Sequence, residues 1–239
     1  MLSAFLLFTA AATNAEWAGR ILETSKRMDT YTVRVDNLSF RQPLGGIFVL
    51  VHTPKAFPLF VFNKPASVPL QILAEDGNTR ALEEFYKLEK TEGVRYVGSA
   101  PGAPPGQYSE FEVEIPRGYL LTIASMAINT NDCYVALNGV EVKDGDILKL
   151  DGLDAGTEEN NELCRFIPGP ACGPEFAGLA NLRAPAGDDE GFVHVHRGFF
   201  GINEGKVINS TDLGASGFPL SAVRYDWRNP MAQVTIYKK

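Results

Sequence analysis

Two short loops carry the residues most able to do chemistry. "NTND" (129–132) joins two apolar runs, and "LDAGTEEN" (153–160) follows the alternating "DILKL". Together they supply Asp132, Asp154 and Glu158. If both loops leave one β-sandwich at the same end, three carboxylates converge there. Like charges brought together repel unless a cation neutralises them. Calcium suits such a site, because it takes six to eight oxygen ligands in flexible geometry. Gly156 allows the backbone turn that points Asp154 and Glu158 at one place. The simpler reading of the same residues is a solvated acidic loop.

The histidines offer a second chemistry. "HVH" puts His194 and His196 on one face of a strand, where both could hold a transition metal, with His52 as a third ligand. That would make the chain a metal-dependent enzyme or redox protein. The simpler reading is the polar outer face of an edge strand. Other enzyme signatures are missing. No Gly-x-Ser-x-Gly elbow, phosphate loop, dinucleotide fingerprint or His-Glu-x-x-His is present, and "GASGF" has the wrong spacing for an elbow. With 29 acidic residues, carboxylate pairs arise by chance, so pairs alone do not argue for a glycosidase.

The formal net charge of −7 argues against non-specific nucleic-acid binding, which needs a basic face. Of the three cysteines, Cys164 and Cys172 bracket one loop and read as a disulfide. Cys133 opens the apolar run "CYVALNGV" and reads as a buried free thiol. One disulfide fits export. So does the start of the chain: an apolar run, "LSAFLLFTAAA", ends in small residues and reads as a signal peptide over 1–15, although no basic residue precedes it. Residues 16–28 then read as a linker and 29–239 as one domain. No later stretch is long and apolar enough for a membrane-spanning helix.

These residues need a scaffold of strands. "TYTVRVDNLSF" alternates apolar and polar positions, as a half-buried strand does, and "GGIFVLVHT" is a continuous apolar strand. "SEFEVEIPRG", "YLLTIASMAI", "CYVALNGVEV", "DILKL", "GFVHVHRGFFGI" and "AQVTIYKK" read as further strands. One helical insert interrupts them over 68–90. It is split at Gly77 and expected to pack through Leu73, Leu82 and Phe85. Many strands without a βαβ rhythm argue for an all-β protein, an antiparallel β-sandwich with a short helical insert. Asn37-Leu38-Ser39 and Asn209-Ser210-Thr211 are glycosylation sequons.

Four stretches in order resemble the spondin N-terminal domain family of F-spondin and mindin, in its microbial single-domain form. They are "HTPKAFPLFVFNKPAS…LQILAEDGNTRAL", "ASMAINTNDCYVALNGV", "DAGTE" at 154–158 and the closing "NPMAQVTI"; the match covers roughly 31–237. The resemblance implies a sandwich similar to a C2 domain that binds one calcium ion through Asp132, Asp154 and Glu158. Glu158 stands where animal members have Asp. It further implies a secreted, extracellular or periplasmic monomer without catalytic activity. Such a module serves adhesion or recognition of an extracellular protein or glycan. A structural surface or matrix protein is the remaining alternative.

Overall fold

The computed structural model describes residues 28–88, 93–172, 189–199 and 225–239. The signal-peptide expectation over 1–15, the linker apart from Met28, and the Asn209 sequon lie outside these residues.

The alternating segment forms β1 (Met28–Asn37). Tyr31, Val33 and Val35 turn inward, while Thr32, Arg34 and Asp36 sit half-exposed. The other strands are β2 (Ile47–His52), β3 (Val94–Ala100), β4 (Tyr108–Pro116), β5 (Leu120–Met126), β6 (Cys133–Val140), β7 (Ile147–Leu150), β8 (Leu153–Asp154), β9 (His194–Val195) and β10 (Ala232–Lys238). They form two antiparallel sheets. One runs β4-β1-β10-β7, the other β3-β2-β5-β6-β8-β9. The fold is thus an all-β sandwich, with two short α-helices among the described residues.

β2 and β5 are dominated by apolar residues because both of their faces are covered. Ile47, Val49, Val51, Leu121 and Ile123 enter the core between the sheets. Phe48, Leu50 and Ala124 point the other way, into a second core beneath the helices. Helix α1 (Val68–Asp76) starts at Ser67, whose hydroxyl oxygen accepts the Leu70 N–H at 3.4 Å. It stops at Gly77 (φ +65°), which returns its N–H to the Leu73 carbonyl at 2.9 Å. Helix α2 (Arg80–Leu88) follows at once.

Leu73, Leu82 and Phe85 pack on the second core as expected, and Tyr86, which the pattern did not single out, is the more deeply buried ring. Tyr86 is buried, stacks 5.8 Å from Phe48 and donates its hydroxyl to the Phe57 carbonyl at 3.0 Å. Burial pushes its pKa up to about 12. Phe85 is only partly buried and meets Tyr86 edge-on. Four residues after Leu82 is as good a helical spacing as three, so periodicity could not choose between the two rings.

β3 was not expected from the sequence. Conversely, of the expected strand "GFVHVHRGFFGI" the described residues 191–199 form only two strand residues, His194 and Val195. Asn37 cannot serve as a sugar acceptor in the folded chain. It is buried, and its amide donates to the carbonyls of Gln42 at 2.7 Å and Ala103 at 2.9 Å. Among the described residues no helix is long and apolar enough to cross a membrane.

Candidate functional site

The site forms where β6, β8 and β9 meet. β8 pairs with β6 through Cys133↔Asp154, and β9 pairs with β8 through Asp154↔His194. This register sets the residue before β6, Asp132, and the first residue of β9, His194, on either side of Asp154. The acidic loop and the histidine pair, separate features of the sequence, share one place.

The "NTND" turn ties the long loop down. Thr130 accepts the Cys133 N–H with its hydroxyl oxygen (3.1 Å) and donates to the Ala127 carbonyl (2.6 Å). Asn131 accepts the Glu162 N–H (3.0 Å) and donates to the Asn161 side-chain oxygen (3.2 Å). Asn129 accepts the Ala171 N–H at 3.2 Å, inside the loop closed by the Cys164–Cys172 disulfide, whose Cα atoms lie 5.2 Å apart. Cys133 is free and buried, and burial beside Asp154 and Asp132 pushes its thiol pKa up. It is therefore a packing residue, not a reactive thiolate.

The acidic loop is not a solvated one. Asp132 is 0%, Asp154 1% and Glu158 2% exposed. Asp132 Oδ2 accepts the Thr157 N–H at 2.7 Å and the Glu158 N–H at 3.2 Å. Its other oxygen, Oδ1, is buried and finds no hydrogen-bond partner among the described residues. Burial, and then the charge of Asp154, pushes the Asp132 pKa well above the usual carboxylate range. Asp154 accepts the Gly156 N–H on Oδ1 (2.7 Å) and the Asn160 amide on Oδ2 (2.8 Å). Burial raises its pKa too, against those hydrogen bonds and one shared with the Asp132 carboxyl. Glu158 meets Asp132 through its backbone N–H.

Two groups of side chains bring their ligand atoms within 4.8 Å of one another: Asp132, Asp154 and His196; and Asp154, Glu190 and His194. The Glu158 carboxylate joins neither group. His196 sits in the first but is already committed. Its Nδ1 accepts the Gly198 N–H at 3.0 Å, so its Nε2 carries the proton and donates to Asn160 Oδ1 at 2.9 Å. Burial pushes its pKa down to about 3, which keeps it neutral. His52 lies elsewhere. It pairs with Leu120 at the far end of β5, roughly 20 Å of strand away from Met126. It is held by Thr122 and the Thr53 carbonyl. The three histidines therefore do not form one metal site.

Sequence reading missed Glu190 and Asn160. Glu190 is brought in by a close approach at Gly156 (φ +65°), where a Cβ would stand 2.3 Å from the Phe192 carbonyl oxygen. Gly156 also accepts the Gly191 N–H at 2.9 Å. The glycine was a visible signal, but its partner segment was not. No known family model and no curated protein matches this chain in sequence.

Proposed function

We propose that this chain is an exported, calcium-binding recognition or adhesion module without catalytic activity. The cation fixes its loop end, and its partner is an extracellular protein or glycan. One observation carries the reading. Asp132 and Asp154 are both buried and adjacent, yet Asp132 Oδ1 has no donor among the described residues. A buried carboxylate oxygen left without a donor costs about 1–3 kcal/mol or more. A cation removes that cost, and with it the repulsion between the two acids.

The oxygen-only character of this pair suits calcium over softer ions. Glu158 would contribute through a change of side-chain rotamer or through a water, which calcium's loose coordination tolerates. The resemblance to the spondin N-terminal domain supports the same residues and the same ion. The turns at 129–132 and 154–163, cross-linked by asparagines and a disulfide, form a stiff platform of the kind recognition surfaces use.

The test is a thermal melt of exhaustively chelated protein with calcium added back. At calcium near ten times Kd, a ligand bound only to the folded state adds about 1.4 kcal/mol. The melting temperature should rise by a few degrees and fall again on chelation. Magnesium, which demands tight octahedral geometry, should do little. A melting curve unmoved by millimolar calcium would sink the proposal.

A further inference from the structure

Beside the Asp132–Asp154 pair lies a second set of groups with a different chemistry. His194 donates Nδ1–H to the Val195 carbonyl at 3.0 Å. That bond fixes the neutral tautomer with a lone pair on Nε2, the arrangement by which proteins aim a histidine at a metal. Nε2 is buried and has no hydrogen-bond partner among the described residues. It faces two carboxylates instead, with Asp154 Oδ1 at 3.7 Å and Glu190 Oε1 at 3.9 Å. These separations are too long for hydrogen bonds. They are close to the spacing of ligand atoms around one small ion, roughly 3.3–3.5 Å for tetrahedral zinc with bonds near 2.0–2.1 Å.

Glu190 Oε2 is also buried without a partner among the described residues. A nitrogen lone pair pointed at two carboxylates is repulsive as it stands, and either a proton or a metal ion removes the repulsion. The surroundings are built to hold this arrangement. Asn160 Nδ2 donates to Asp154 Oδ2 at 2.8 Å and to Glu190 Oε1 at 3.2 Å, orienting both acids. The segment is pinned by Gly191 to Gly156 on one side. On the other, Val193 donates its N–H to the Lys64 carbonyl at 2.9 Å and accepts the Asn63 N–H at 3.0 Å.

We infer that His194, Glu190 and Asp154 form a second metal site, selective for a zinc-class divalent ion, and that Asp154 bridges it to the calcium site. Imidazole nitrogen is a ligand for zinc and its neighbours, not for calcium. The His194 and Glu190 side chains are 21% and 23% exposed, so the site lies near the surface although its ligand atoms are buried. Three protein ligands with an open fourth position give room for one water. The two ions divide the cluster by donor type: oxygen toward Asp132, nitrogen toward His194.

The experiment titrates zinc chloride alone into untagged, metal-free protein by calorimetry, and cobalt(II) in parallel as a coloured stand-in. One zinc per chain should bind, and cobalt should give visible absorption bands of a nitrogen-ligated ion. His194→Gln and Glu190→Gln should each weaken zinc by about 10–100-fold, with folding checked by circular dichroism. Asp132→Asn should leave zinc affinity within about twofold while abolishing the calcium response, so failure of the calcium reading and failure of this one are separable. Elemental analysis after loading with both ions should find one of each. Absence of zinc binding, unchanged affinity in both Gln variants, or displacement of calcium by zinc at a single shared site would overturn the inference. Should His194→Gln fail to fold, Glu190→Gln and the cobalt spectrum of the wild type decide the matter.

Discussion

The two ends of the six-stranded sheet bury polar groups in opposite ways. At one end, His52 donates Nδ1–H to the Thr53 carbonyl at 2.9 Å. Its Nε2 accepts the Thr122 hydroxyl proton at 2.8 Å, and the same Thr122 oxygen accepts the Gly139 N–H at 2.7 Å. Donors and acceptors alternate without a gap. At the other end, Asp132, Glu190 and His194 each leave a buried atom without a hydrogen-bond partner among the described residues. One sheet and the same residue chemistry give a closed network at one end and an open one at the other. The closed end is complete as a protein structure. We propose that a cation, which is neither donor nor acceptor, completes the open end.

The sharpest way to test that contrast is to open the closed end. Thr122→Val keeps the shape of a side chain only 1% exposed but removes the hydroxyl. Both the Gly139 N–H and His52 Nε2 then lose their partner. At about 1–3 kcal/mol for each of the two buried groups left unsatisfied, the loss should be about 2–6 kcal/mol by urea unfolding, with no change in any metal response. A loss under about 1 kcal/mol would show that this sheet tolerates unpaired buried atoms, and the open end would cease to argue for a ligand.

Closing the open end should do the reverse. Asp132→Asn removes one of two adjacent buried charges. The Asn oxygen can still accept from Thr157 and Glu158, and its amide can donate toward Asp154. Burial, and then the charge of Asp154, disfavours the ionised form of Asp132. In chelated protein near neutral pH the variant should therefore match or exceed the wild type, by on the order of 1 kcal/mol. In calcium the order should invert, since only the wild type gains. A variant that is less stable than the wild type even after chelation would mean that Asp132 is held by something other than a cation.

How much of this was legible in the sequence depends on where each element draws its signal. β1 was readable because its two faces meet different media, so Val33 and Val35 alternate with Arg34 and Asp36. β2 and β5 were readable as buried because both of their faces are covered, and the small hydroxyls Thr122 and Ser125 are the only polar groups within β5. β3 was missed because it is an edge strand with Arg95, Tyr96 and Ser99 exposed and Gly98 within it, which hides the alternation. β8 and β9 are two residues each, and a period of two cannot be seen in two residues. The site divides in the same way. Asp132 and Asp154 were readable as loop-tip acids on neighbouring strands. Glu158 reaches Asp132 with its backbone N–H, whereas Glu190 was not readable, because it arrives from a distant irregular segment through the space Gly156 leaves open. The histidines misled by count: three in the chain suggest one triad, but the register sends His52 to the other end and commits both nitrogens of His196.

The smallest expected effect concerns that distant histidine and concerns pH. Burial holds the His52 pKa below its ordinary value of 6.5, and the bond to the Thr53 carbonyl offsets this only in part. The unfolded chain therefore takes up the proton first as pH falls. The stability contributed by neutral His52 is fully present above about pH 6.5 and is lost progressively below it. Protonation would place an N–H on Nε2 where the Thr122 hydroxyl already donates, so that hydroxyl would have to turn, and the alternation of donors and acceptors would break. His52→Gln removes the titration. The stability deficit of this variant relative to the wild type should shrink between pH 7 and pH 5, by no more than about 1.4 kcal/mol per unit, because only the wild type pays the proton penalty. Measuring the difference between the two proteins cancels the carboxylates, which titrate in both. Chelator should leave that difference unchanged at every pH. If chelation alters it, the two ends of the sheet are not independent, and the contrast between a closed and an open network would give way to a single coupled one.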